Sequence, residues 1–420
     1  MKTKNAKENA ISRRLFLEKA AVISAVTILP RYVMGCSPQS DPIRLGFIGN
    51  GKQAMGLQDS FLKTNDVKII AASDVYAGKM QRFAAKVEGC AMHADFRDLL
   101  KRKDIDAVVI ATPDHWHSVI AIMAARAGKD IYCEKPLALT IKEGRAMVTE
   151  SRKHNRVFQT GSMQRSWDEF RQAVELVRNG YIGDIKSVRV NVGPPPMPYD
   201  LPAEPLPEGL NWNMWLGPNI VTQNYNHILA PQLTDDSWAN WRKYQEFGGG
   251  GMTDWGAHMF DIAQWGLDMD SSGPVKITPP DKDHQFLTYE YANGITMTHE
   301  PTQGDNFCEF TGTKGTVWVA RGKLATTPDA ALKDKVIGAN EKHVYKSEDH
   351  YKDFLQAIRK RTKPVADVEI GHRTATVCNL GNIAYRLKRP LRWDPVKEAF
   401  INDDEANKLT GREMKKEWRV

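Results

Sequence analysis

Short apolar runs alternate with longer amphipathic ones along the first half of the chain, and that alternation predicts its layout. Residues 43–48, 67–73, 90–93, 106–111, 130–134 and 157–160 are predicted strands. Between them, segments ending near Leu62, starting near Ala77, and spanning 95–101, 115–127 and 140–154 carry a helical period. Apolar strands that alternate with helices imply a parallel sheet covered on both faces. After a hinge at 161–166 the pattern changes. A helix (167–179) and a strand (185–192) lead into 193–247, a stretch with nine prolines and no regular period. A stretch this long either serves function by covering a neighbour or is padding. Beyond it, 285–291, 295–300, 307–311 and 316–320 alternate like antiparallel strands, joined by turns at 292–294 and 312–315. Helices at 349–360 and 372–386 close the chain. The expected division is 1–36, a leader; 41–163, the alternating strand–helix domain; and 164–420, a second domain.

The predicted strand ends carry the chemistry. The first runs into Gly49-Asn50-Gly51-Lys52-Gln53-Ala54, a G-x-G-x-x-A form of the dinucleotide fingerprint. Gly49 permits the tight turn, Gly51 lets the backbone approach a pyrophosphate, and Ala54 allows close helix packing. Lys52 and Gln53 open the helix whose amino terminus would face the phosphates. The second strand ends in Asp74, placed to bind adenosine ribose hydroxyls, which favours NAD over NADP; capping the next helix is its alternative role. Thr112 and Pro113, after the fourth strand, and Glu134 and Lys135, after the fifth, are candidate cofactor contacts. His117, with His115, is expected to line the cofactor groove, a metal site being the rival. The fifth strand stops at Glu134-Lys135-Pro136, because proline cannot continue a ladder. Lys135 can then hold a substrate oxygen or donate a proton at the carboxyl edge, the bland alternative being a surface ion pair. Gln164 is a further candidate cofactor contact, and Arg165 and Trp241 are candidate substrate contacts. After four glycines at 248–251, Asp254, His258 and Asp261 fall on one face of a predicted helix. A histidine oriented by a carboxylate suits proton transfer from a sugar hydroxyl; a metal site or a satisfied core histidine are the alternatives.

Composition changes this picture in two places. The formal charge of +7 is concentrated in residues 1–36, where seven Lys/Arg face two Glu; the remainder holds 51 basic against 49 acidic side chains. No nucleic-acid footprint is left. The same leader carries Ser12-Arg13-Arg14-Leu15-Phe16-Leu17, a twin-arginine pattern, then an apolar run too short to span a bilayer. Val33-Met34-Gly35-Cys36 resembles a lipobox, so the expected product is periplasmic or anchored through a lipid on Cys36; cleavage without lipid is the alternative. Cys90, Cys133, Cys308 and Cys378 lack paired spacing and are expected to be buried thiols. Eleven tryptophans suit a sugar-sized ligand with apolar ring faces.

Gly49-Asn50-Gly51, Ala111-Thr112-Pro113, Glu134-Lys135-Pro136 and Asp254-Trp255-Gly256-Ala257-His258, in that order, resemble the Gfo/Idh/MocA oxidoreductases across about residues 42–418. The resemblance implies a Rossmann parallel sheet, then an α/β domain with an open, mostly antiparallel sheet through which oligomers form. It makes Lys135 the lysine on the reacting oxygen, His258 the acid/base, and Asp254 its orienting group or a substrate contact. Ala54, in place of a third glycine, departs from the pattern and weakens the phosphate signature slightly. The expected function is hydride transfer between tightly held NAD and a ring carbon of a sugar or glycoside. The alternatives are an NAD-dependent glycosidase acting by transient oxidation, and a non-catalytic sugar-binding lipoprotein.

Overall fold

The computed structural model describes residues 41–221, 223–233 and 237–420. The twin-arginine and lipobox expectations lie outside those residues. Strands β1 (Ile43–Ile48), β2 (Val67–Ser73), β3 (Ala91–His93), β4 (Ala107–Ile110), β5 (Asp130–Cys133) and β6 (Phe158–Thr160) form one parallel sheet in the order 3-2-1-4-5-6. All four residues of β4 and of β5 are buried, as strands covered on both faces require. The order reverses between β1 and β4, which opens a crevice at their carboxyl ends. Helices α1 (Lys52–Leu62), α2 (Ala77–Ala84), α3 (Phe96–Lys101), α4 (Asp114–Arg126) and α5 (Ile141–Lys153) make the crossovers.

The second sheet has nine strands: β7 (Ile185–Asn191), β8 (Lys276–Thr278), β9 (Leu287–Glu290), β10 (Thr296–His299), β11 (Phe307–Gly312), β12 (Thr316–Ala320), β13 (Lys323–Thr327), β14 (Leu391–Asp394) and β15 (Ala399–Phe400). Their order is 13-12-11-7-10-9-8-14-15, antiparallel throughout except where β7 runs parallel to β10. One face packs on α6 (Asp168–Arg178), α7 (Gly256–Gly266) and α9 (Val368–Leu387), burying Val188, Val190, Phe310, Val317, Tyr289 and Leu287. Each such side chain contributes roughly 1.5–3 kcal/mol. The other face alternates half-exposed polar groups such as Thr288, Glu290, Thr296 and Thr298.

The division at 163/164 does not separate two independent cores. Helix α8 (His350–Lys360) returns to the first sheet, seating Phe354 and Leu355 among Phe47, Phe61 and Tyr132. Val368 and Ala375 of α9 join the core under β4 and β5, and residues 42–420 form one compact unit. Strands β8, β13, β14 and β15 were too short, or too polar, to stand out as periodic runs. The proline-rich stretch builds its own aromatic core from Trp215, Tyr225, Trp241, Tyr244 and Phe247. Cys133, Cys308 and Cys378 are buried free thiols, and Cys90 is half-buried. No helix among the described residues is long and apolar enough to cross a membrane.

Candidate active site

A cavity of about 610 Å³ runs over the carboxyl ends of β1, β2, β4 and β5 and is roofed by the 193–247 stretch and the start of α7. Gly49, Gly51, Lys52, Gln53, Asp74, Thr112, Pro113, Glu134 and Lys135 line it from the first sheet; Trp241, Asp254 and His258 line it from the other side. Gly49 has φ +83°, and a Cβ there would lie 2.8 Å from the backbone of Ala111. Gly51 is different: a Cβ would meet nothing within 4 Å, so the space beside it is open. Helix α1 starts there with no side-chain cap and no acid in its first turn, leaving its N–H groups and dipole for an anion. Thr112 Oγ1 is buried without a partner at the same wall. These features fit a dinucleotide: the diphosphate beside Gly51 and α1, the adenosine toward Asp74.

Asp74 lines the cavity, and it does not cap α2, whose N-cap is Tyr76 with no side-chain hydrogen bond. Its carboxylate accepts from the Asn50 amide (2.6 Å) and the Tyr76 amide (2.8 Å), so it braces the turn. Burial raises its pKa against the opposing charge of Lys79. Gln53 donates to Glu134 Oε1 at 2.8 Å, tying the phosphate turn to the end of β5.

At the other end, Lys135 Nζ donates to the Asp254 carboxylate (2.6 Å) and to the Asp254 carbonyl (2.9 Å). The second bond explains a break in the helix. In a continuous helix that carbonyl would accept the His258 amide; here the amide bonds Trp255 O instead, and Gly251–Asp254 and α7 are separate segments. Asp254 is therefore turned to Lys135, with Arg242 Nε 3.4 Å away, and not to His258. Burial alone would raise the Asp254 carboxyl; Lys135 and then Arg242 outweigh it and hold it low. His258 Nε2 meets Arg321 Nη2 at 3.1 Å while Nδ1 is buried without a partner. The guanidinium can only donate, so Nε2 accepts and the ring proton sits on Nδ1. Burial, then Lys135 and Arg321, push the His258 pKa well down, which leaves it a neutral base at pH 7.

Residues 43–162 match "Oxidoreductase family, NAD-binding Rossmann fold", and residues 198–420 match "Oxidoreductase family, C-terminal alpha/beta domain", the two domains of one family. The chain belongs to the Gfo/Idh/MocA oxidoreductase family. It is 30% identical over 146 residues to a 1-carboxy-3-chloro-3,4-dihydroxycyclohexa-1,5-diene dehydrogenase of Comamonas testosteroni, covering 35% of this chain and only 37% of that one. A glycosyl hydrolase family 109 protein of Stenotrophomonas maltophilia is 24% identical over 318 residues, 69% of each chain. In fold it is similar to the WlbA dehydrogenase of Bordetella pertussis, solved with NADH and UDP-GlcNAcA (TM-score 0.61, 20% identity, 85% of this chain and 100% of that).

Several expectations about this Gfo/Idh/MocA protein need correction. Arg165 does not reach the cavity. Its guanidinium is 2% exposed and forks onto Asp261 and Asp270, so it is a core ion pair and not a substrate contact. Asp261 is consumed there, with Thr374 donating to it, and does not orient His258. No carboxylate among the described residues does. His117 is buried between the Pro136 and Thr112 carbonyls (both 2.9 Å) and pins the two loops rather than lining the groove. His115 is bonded to Trp215 O. Asn50 is buried behind the turn, and Gln164 stands behind His258, accepting from Arg321 Nε at 3.4 Å; neither lines the cavity.

Arg242, Arg321 and Asp114 line the cavity and carry no motif in the sequence. Arg321 comes from the tight turn between β12 and β13, a position with no motif. Asp114, at the start of α4, was overshadowed by its histidine neighbours. Burial pushes the Asp114 carboxyl up to about 8, opposed by Arg242 and reinforced by Asp254. It is therefore protonated at pH 7, and above about pH 8 it adds a negative charge beside Lys135. An alkaline decline in kcat/KM with a midpoint near 8 is expected. Asp114→Asn should abolish that decline while keeping the rate at pH 7 within about threefold. A decline that persists in the variant would refute this assignment.

Gly51→Val offers a separate check of the phosphate wall. The backbone there (φ −74°, ψ −168°) accepts any residue, so unfolding temperature should be unchanged. Dinucleotide affinity, read by calorimetry, should fall at least about a hundredfold, since the side chain fills the space a phosphate needs. Unchanged affinity would remove the cofactor from this wall.

Proposed function

We propose that the protein transfers a hydride between NAD and a ring carbon of a sugar or glycoside. The observation that carries this is the single cavity shared by the Gly49–Gly51 turn, Lys135 and His258. When bound, the nicotinamide takes up or returns the hydride. Lys135, already positioned by two hydrogen bonds to Asp254, holds the substrate oxygen and offsets its developing charge. His258 takes the hydroxyl proton at Nε2 once Arg321 has withdrawn from it. Trp241 and Trp255 supply apolar walls for ring faces. Asp74 supports NAD over NADP, because a carboxylate at this place repels a 2′-phosphate.

Tight retention of the cofactor has support in the roof. The Asn211 amide bonds Val75 O (2.8 Å) and the Ala77 amide bonds Gly209 O (2.9 Å), strapping the 193–247 stretch across the turn that follows Asp74. An enzyme exported by the twin-arginine route, with Cys36 as lipid acceptor, would need such a hold, having no surrounding NAD pool. Assembly into homo-oligomers through the open sheet belongs to the same proposal.

The matched glycosyl hydrolase family 109 relative keeps one rival alive: transient oxidation, elimination of the aglycone and reduction. Nicotinamide absorbance of the purified protein should be followed across a panel of glycosides, together with release of a chromogenic aglycone. Net reduction without aglycone release is expected. Aglycone release with no net change in nicotinamide would favour the glycosidase, and neither response would favour a binding protein.

A further inference from the structure

The substrate end of the cavity is lined by more positive charge than it neutralises. Lys135 and Arg242 share the carboxylate of Asp254, at 2.6 and 3.4 Å, and both also face Glu134 at the end of β5. Asp114, also on the wall, carries its proton at neutral pH. Arg321 stands exposed at the rim with no ion pair among the described residues. Its Nε points at Gln164 and its Nη2 at His258, while Nη1 has no hydrogen-bond partner. Arginines at other part-buried places are met by acids, as Arg145 is by Glu369 and Glu398 and Arg389 by Asp403 and Glu405, whereas Arg156 and Arg419 bond only backbone carbonyls.

The two guanidiniums at this end of the cavity lie against tryptophan faces. Arg321 Cζ is 4.5 Å from the Trp255 ring centroid, and Arg242 Cζ is 4.3 Å from that of Trp241. Stacked guanidiniums lose little freedom when they bind, and their fork matches a carboxylate. Arg321 also occupies the nitrogen of His258 that must accept a proton. Something must draw it away, and an anion at the rim would do so.

We infer that the substrate is an acidic sugar, a uronic acid or glycuronide, whose carboxylate is bound by Arg321 with Arg242 as second cation. This rests on the redox reading of the cavity and adds the substrate's charge. Binding of the carboxylate moves Arg321 from His258 Nε2 and frees that nitrogen for the hydroxyl proton. A neutral glycoside leaves the arginine where it is.

The test is calorimetry on the NAD-loaded protein with matched pairs: methyl glucuronide against methyl glucoside, methyl galacturonide against methyl galactoside, and glucose 6-sulfate as a tetrahedral anion. At least one uronide should bind about tenfold or more tighter than its neutral twin, and the advantage should shrink with added salt. Arg321→Gln should cut it to within about threefold, and Arg321→Lys should restore only part, because an ammonium lacks the fork. Thermal unfolding of both variants checks that they remain folded. Equal binding of acidic and neutral twins, no binding of any uronide, an advantage confined to the sulfate, or an advantage surviving Arg321→Gln would each overturn the inference. Calorimetry needs no turnover. A uronide that binds tightly without ever changing nicotinamide absorbance overturns the redox reading alone, whereas oxidation of neutral sugars with no acidic preference overturns this one alone.

Discussion

Replacing Lys135 by methionine is expected to lower sugar turnover by about three orders of magnitude while NAD still binds. The ammonium sits at the end of β5 with only 16% of its side chain exposed, 2.6 Å from Asp254. Methionine keeps most of the stem's volume and removes the charge that would steady an alkoxide. The phosphate turn is untouched, because Gln53 ties it to Glu134 and not to Lys135. A second consequence follows for Asp254. Without Lys135 its carboxyl keeps only the longer contact to Arg242, so it should take up protons at higher pH than in the parent. Steady-state kinetics beside NAD titration by calorimetry separates the two effects. Turnover within about threefold of the parent would show that the lysine serves only the ion pair.

Arg165→Met should be the most damaging substitution to the fold. It strands the buried carboxylate of Asp261, which is 1% exposed, and leaves Asp270 unpaired. Removing one partner of a buried pair costs about 3–5 kcal/mol, because the remaining charge stays desolvated. Urea unfolding should show that loss as a lowered midpoint with an unchanged slope. Arg165→Lys should recover little, since one ammonium cannot fork onto two carboxylates. If the variant instead unfolds like the parent and loses sugar affinity, Arg165 reaches the substrate after all.

The contrast between these two residues shows what the chain disclosed in one dimension. Lys135 was legible because a proline stops an apolar strand beside it, and strand ends at that edge face ligands. The glycine turn was legible for a similar reason: the backbone geometry of Gly49 restricts the residue type, whatever lies around it. Arg165 and Gln164 follow the same strand-to-hinge junction, but whether a side chain there turns to the cavity or the core depends on Asp261 and Asp270, about a hundred residues away. Helical spacing put Asp254, His258 and Asp261 on one face only on the assumption of an unbroken helix. A lysine from the other sheet takes the Asp254 carbonyl and breaks it. Arg321 had no local signal at all, being one charged residue in a hairpin turn. Its role emerges only when β12 and β13 bring it over His258.

One measurement bears most directly on the central claim: a crystal structure of the protein with NAD and a bound sugar. Lys135 Nζ and His258 Nε2 should both lie within about 3.2 Å of the same substrate hydroxyl. The hydroxyl's carbon should face the nicotinamide ring, with Arg321 withdrawn from the imidazole. A sugar oxygen held by only one of the two nitrogens, or a ring carbon turned away from the nicotinamide, would contradict it.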